Sequence, residues 1–178
     1  MYLAQCTKPD IAFAVNLLAH YSYEPTRRHW NGIKHIFQYL KGTIDLGLFY
    51  FKESNSIRLV GYTDVGYKFD PHKARSQIGY LFCYNSIVIS WRSTKQTLVA
   101  TSTNHLGIIS LYEVEKECVW LRSIISHIQN SCQMTPVNNS PIVIYEDNVA
   151  CIAQVRGGYI KGDKKKHISP KFFYAHEL

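Results

Sequence analysis

Two carboxylates in this chain stand where chemistry could be done, and each closes a run of apolar residues. Asp64 lies near the end of Leu59-Val60-Gly61-Tyr62-Thr63-Asp64-Val65-Gly66, and Asp147 follows Ile142-Val143-Ile144-Tyr145-Glu146. Each run reads as a buried strand delivering a charge to its tip. An ionised carboxylate is costly to bury alone, so such a place calls for a cation, a metal ion or solvent beside it. The plainer alternative is a pair of strand-end carboxylates capping a turn or a helix. Glu146 adjoins Asp147, and alternation along a strand sends it to the other face, where it is expected to be exposed. The basic run Lys161-Gly162-Asp163-Lys164-Lys165-Lys166-His167 is a second candidate. It is either a solvated loop or a contact with a nucleic-acid backbone, where each lysine neutralises a phosphate and salt weakens binding. Trp91, Arg92 and Lys95 could line the same groove, although Trp91 also suits a core position at its strand's end.

The elements that must position these residues follow from periodicity. Strands are expected over residues 57–64, 77–84 and 87–91, with Asn85-Ser86 as a hairpin turn. Leu111, Val114, Cys118, Leu121, Ile125 and Ile128 then advance by three and four, the apolar stripe of a long helix that reaches back to Gly107 near its start. A short buried strand over residues 142–145 and a helix beginning at Asn148 and ended by Gly157-Gly158 complete the series. Three antiparallel strands, a helical crossover and a parallel strand bring Asp64 and Asp147 to one edge of the sheet.

Upstream, Thr7 is expected to cap a helix that carries Pro9 and Asp10 in its first turn and runs to about Tyr21. Thr26 starts a second helix with apolar face Trp30, Ile33, Phe37 and Leu40, stopped at Lys41-Gly42. Two such helices are too short to form a core of their own, so they must pack on something else. Residues 46–50 read as a strand, and the polar stretch 52–56 as a domain boundary.

Composition narrows the classes. The chain has 178 residues, 46% hydrophobic and 19% charged, which argues against disorder and allows a substantial core. Five scattered cysteines without a Cys-x-x-Cys pair read as free thiols rather than a metal site. No apolar run approaches the roughly 18 to 20 residues of a membrane span, and the first residues do not look like a secretory signal. An intracellular location, cytoplasmic or nuclear, is expected, with no membrane partner. A net charge of +7 is compatible with a polyanion without demanding one.

Longer motifs are more specific. The stretch from Tyr2 through Lys8-Pro9-Asp10-Ile11 to Asn16, together with His29-Trp30 and Tyr39-Leu40-Lys41-Gly42-Thr43, resembles the end of the reverse transcriptase region in copia-type (Ty1/copia) retrotransposon Pol polyproteins. Gly61-Tyr62-Thr63-Asp64, Ile89-Ser90-Trp91-Arg92-Ser93-Thr94-Lys95-Gln96, Tyr145-Glu146-Asp147-Asn148 and Lys166-His167-Ile168 resemble the ribonuclease H domain that follows it. The resemblance implies an α/β, RNase H-like mixed sheet with an N-terminal two-helix extension. Residues 1–52 would be a reverse transcriptase thumb or connection remnant, without the Tyr-x-Asp-Asp of the polymerase. Residues 57–178 would be an RNase H-like domain, C-terminally truncated, with Met1 an internal methionine of a longer polyprotein.

That family cuts the RNA strand of RNA–DNA hybrids with two Mg²⁺ ions, which carboxylates hold about 3.5 to 4 Å apart. By resemblance, Asp64 and Asp147 are metal ligands for Mg²⁺ or Mn²⁺, and Lys95, Lys161, Lys164, Lys165, Lys166 and His167 would contact nucleic acid. The implied partners are an RNA–DNA hybrid or other nucleic acid and the rest of the Pol polyprotein. The family's helix glutamate falls at Gly107, which offers no ligand. Asn104 and His105 could substitute, though a solvent-facing helix start explains them more simply. The fourth acid is also missing, since Ser169 follows Ile168, and Glu177 has no assigned place. Impaired catalysis and weakened or lost metal binding are therefore expected, leaving a non-catalytic nucleic-acid-binding module or a relic as alternatives.

Overall fold

A computed structural model describes residues 1–50, 58–66, 76–96, 102–133 and 141–157. Strands β1 (Leu59–Gly66), β2 (Gln77–Tyr84), β3 (Ile87–Lys95) and β4 (Val143–Glu146) form one sheet in the order β3-β2-β1-β4. The β1–β2 and β2–β3 pairs are antiparallel and β1–β4 is parallel, the RNase H-like arrangement expected. Asn85 and Ser86 turn the β2–β3 hairpin with φ of 50° and 64°, the left-handed geometry that matches the twist of the flanking strands. The parallel partner requires a long crossover, supplied by α4 (Thr103–Ser131). β1 begins and ends two residues later than expected, and β3 continues to Lys95 rather than stopping at Trp91.

The core lies between the sheet and α4. Ile78, Leu106 and Ile109 form one buried cluster; Tyr80, Phe82, Val114 and Leu121 form another. Gly61 permits the close approach of Phe82, since a Cβ there would stand 2.8 Å from the phenyl ring. Thr63 and Ser110 share a 2.6 Å hydroxyl hydrogen bond that pins β1 to α4. Of the expected stripe, Val114 and Leu121 are buried but Ile128 is 51% exposed. The cause is length: the 29 residues of α4 span about 43 Å, whereas an eight-residue strand spans about 27 Å, so the last turns overhang the sheet. At the other end, residues 105–110 are buried on every face, because α5 (Val149–Gly157) covers the side the sheet leaves open.

The N-terminal segment departs from expectation. In place of one helix to Tyr21 there are α1 (Tyr2–Cys6), a 3-10 turn at Pro9–Ile11 and α2 (Ala12–Ala19), followed by α3 (Arg27–Gly42). Thr7 caps nothing; its hydroxyl donates back to the Leu3 carbonyl at 3.1 Å and ends α1 instead. Thr26 does start α3, through a capping box with His29. Residues 46–50 have no ladder partner and are not a strand, although the Tyr50 hydroxyl donates to the Val88 carbonyl. Of these helices, α2 packs against β3, and α1 and α3 pack on α2. The Trp91 indole donates to the Ala4 carbonyl at 2.8 Å, and the Gln77 amide donates to Asn16 at 3.2 Å. The boundary placed at residues 52–56 lies outside the described residues. Among the described residues no helix is long and apolar enough to cross a membrane, and the five cysteines are free thiols.

Candidate functional site

The parallel ladder decides whether the two aspartates meet. Its pairs run from Val60 with Val143 to Thr63 with Glu146. Asp64 and Asp147 are therefore the next residues on neighbouring strands that point the same way, and both are exposed. On the sheet face away from α4, Tyr62 and Tyr145 stack at 5.3 Å and stiffen this rim.

Glu146 overturns its expected exposure. It pairs in register with inward-facing Thr63, so it faces α4 and is half-buried. Strand alternation held, but its phase was inverted: β4 turns Val143 and Tyr145 outward and Ile144 and Glu146 inward. One Glu146 oxygen accepts from the Asn148 N–H at 3.3 Å, and the other has no partner. Burial pushes its carboxyl up to about 7; the Asn148 N–H opposes this, and repulsion from Asp147 and Asp64 adds to it. Glu146 thus feels both aspartates at the ends of β1 and β4.

The start of α4 lies on the Thr63–Glu146 face of the sheet, whereas Asp64, next after Thr63 in β1, falls by alternation on the Tyr62 face. Ser102 caps α4, accepting from the His105 N–H at 3.2 Å. A Cβ on Gly107 would lie 2.9 Å from both Cβ and Sγ of Cys151 and 3.5 Å from the Asn148 amide nitrogen. Cys151 is fully buried, so the space a side chain at 107 would enter is already filled. Asn148 holds the two helices together: its amide donates to the Thr103 carbonyl at 3.0 Å while its oxygen accepts from the Cys151 N–H at 3.1 Å. Asn104 donates to Gln154 of α5. His105 is 8% exposed, not solvent-facing as expected, because α5 closes over this end of α4.

Two residues here escaped sequence reasoning. Cys151 has its thiol pushed up to about 12, by burial first and then by the charges of Glu146 and Glu115, so it is an inert packing group. Glu115, two helical turns beyond Gly107, is raised to about 7 by burial alone, and one of its oxygens lacks a partner. Its spacing of eight from Gly107 put it on the same helix face, which was the available signal.

The donors do not fit a two-metal centre. Such a centre needs several carboxylates converging from different elements. Gly107 supplies none, and among the described residues no three His, Cys, Asp or Glu side chains are grouped to hold a metal ion. Lys95 sits at the end of β3 beside a cavity of about 280 Å³ that Arg92, Gln96 and Glu113 also line. Trp91 is anchored to α1 rather than open to a groove. Lys161, Lys164, Lys165, Lys166, His167, Ser169 and Glu177 lie outside the described residues.

Over 121 residues the chain is 40% identical to the secreted RxLR effector protein 161 of Plasmopara viticola, covering 68% of this chain and 84% of that protein. Over its full length it is 32% identical to the retrovirus-related Pol polyprotein from transposon TNT 1-94 of Nicotiana tabacum, of which it covers 13%. It is 36% identical over 148 residues to the Pol polyprotein from transposon RE2 of Arabidopsis thaliana, covering 83% of this chain and 10% of that one. No family model and no solved structure matches the chain. The chain therefore spans about a tenth of the length of the Pol polyproteins it matches, and it belongs to the Ty1/copia-type retrotransposon Pol polyprotein family as a fragment.

Proposed function

We propose that this fragment is the RNase H-like portion of a copia-type Pol polyprotein and that it has lost two-metal hydrolysis of RNA–DNA hybrids. The observation carrying this reading is the packing of Cys151 against Gly107. A hydrolytic centre of this kind needs an acid on α4 facing Asp64 and Asp147. Here the acid is missing and a buried thiol stands where its side chain would begin. Losing one charged ligand removes preorganised stabilisation from the transition state and costs orders of magnitude in rate. In the test, purified protein is incubated with a labelled RNA–DNA hybrid in Mg²⁺ or Mn²⁺. The hybrid is expected to stay intact, and robust cutting by the unmodified chain would overturn the reading.

Binding without cutting is the companion reading, favoured by the net charge of +7 and by Arg92 and Lys95, which line the cavity beside β3. It predicts retention of the hybrid that weakens steeply with rising salt. If the chain neither binds nor cuts, the relic alternative stands.

A further inference from the structure

The outer face of α3 has no use in the acid cluster or its sheet. Its inner face packs on α2, where Gly32 allows close approach: a Cβ there would be 3.0 Å from Leu18. Turned away from that contact are Trp30, 56% exposed, and Phe37, 67% exposed, one heptad apart. Ile33 and Leu40 sit between this seam and α2, half-buried. Arg27, Lys34 and Lys41 line the seam's other side, again at intervals of seven, and all are exposed. Lys34 lies over the Trp30 ring at 6.0 Å. The helix contains no Asp or Glu.

An apolar seam of period seven with a single-sign charged row beside it is the grammar by which one helix selects another. We infer that the Trp30–Phe37 seam of α3 is a docking surface for an amphipathic helix of another protein segment that carries acidic residues opposite Arg27, Lys34 and Lys41. The α3 of a second copy is a poor occupant, because it lacks the acids that the cationic row calls for. A nucleic-acid strand could use the cations and stack on the aromatic rings, but it would leave aliphatic Ile33 and Leu40, and exposed Ile44 and Leu46 beyond the helix, without apolar cover. The inference is independent of whether hybrids are cut.

The test uses the full chain and a synthetic peptide of about three heptads with Leu at a and d and Glu at e and g. A matched peptide with Lys at e and g is the control. The Glu peptide is expected to gain helicity on mixing, to change the tryptophan fluorescence, and to bind more weakly as salt rises. Combined Arg27→Glu, Lys34→Glu and Lys41→Glu should weaken the Glu peptide by about tenfold or more and admit the Lys peptide instead. All three sites are exposed, so the fold tolerates the change. A separate Phe37→Ser variant should lose both peptides. The inference falls if the unmodified chain binds neither peptide, or both equally. It also falls if the chain self-associates through Phe37, or if a single-stranded oligonucleotide binds the same residues more tightly than the Glu peptide.

Discussion

At Gly107 the decisive quantity is a single distance. Its missing Cβ would fall 2.9 Å from Cys151, closer than a Cβ normally comes to another atom. Gly107→Ala, ordinarily a helix-stabilising change, should therefore destabilise the protein by about 1 to 3 kcal/mol in urea unfolding. The loss should shrink in a Cys151→Gly background, a coupling that a double-mutant cycle reads directly. Restoring an acid by Gly107→Glu alone meets the same obstruction, so that variant should leave hybrids uncut. Glu115 offers a second residue-level test. Burial raises its carboxyl from 4.5 to about 7, so the folded state holds the proton more tightly than the unfolded chain. The stability this contributes is fully present below pH 4.5 and is lost as pH rises through about 7. It amounts to about 1 kcal/mol once discounted for the solvent that reaches the site. Glu115→Gln should flatten that slope in thermal melts taken across the range, and an unchanged slope would mean the carboxyl is solvated. Asp64 and Asp147 stood out by residue type and order, and the structure sets them at neighbouring strand ends, whereas an acid's place at 107 is implied by the family resemblance alone. The packing of Cys151 was not legible, because which side chain fills a gap depends on how two helices abut, and no periodicity reports that; for Glu115 helical spacing gave its face but not its burial.

Among the elements, the contact between β1 and α4 carries most of the architecture. The Thr63–Ser110 hydrogen bond is buried, and Thr63 also donates to the Gly79 carbonyl at 3.3 Å. Ser110→Ala should cost about 1 kcal/mol rather than more, because Thr63 keeps its second partner. Denaturant unfolding checks this, and a much larger loss would show that the hydroxyl pair orders the whole strand–helix contact. Strand order, the hairpin and the crossover were readable in advance because each rests on local pattern: alternation, Asn85-Ser86, and a stripe at intervals of three and four. The phase of β4 was misread because four residues are too few to define an inward face. Only the pairing of Glu146 with Thr63 fixes it. The single helix expected before Tyr21 failed for another reason. Pro9 fits a helix's first turn, and here it opens a short 3-10 turn of its own instead of continuing from Thr7.

Across the whole molecule, residues 1–50 and the sheet are joined by a few directed contacts: Trp91 to Ala4, Gln77 to Asn16 and Tyr50 to Val88. Trp91→Phe keeps an aromatic ring, though a smaller one, and removes the N–H donor, so it should loosen α1 without unfolding the sheet. Limited proteolysis should then cut residues 1–50 faster while the strand core persists; equal protection in both regions would show the indole bond to be dispensable. That the helices needed a surface to pack on was evident from their size, but that α2 meets β3 and carries α3 came only from the structure.

The close fit of Cys151 against Gly107 also bears on descent. On the proposed reading, a lineage that exchanged a helix acid for glycine and then let a neighbouring thiol settle into the gap cannot retrace its path by one substitution. Bringing the acid back first would jam the helix pair, and removing the thiol first would leave a hole with no compensating gain. The notch works as a ratchet: each half-step home passes through a less stable protein, so repair of the old chemistry would require both changes together.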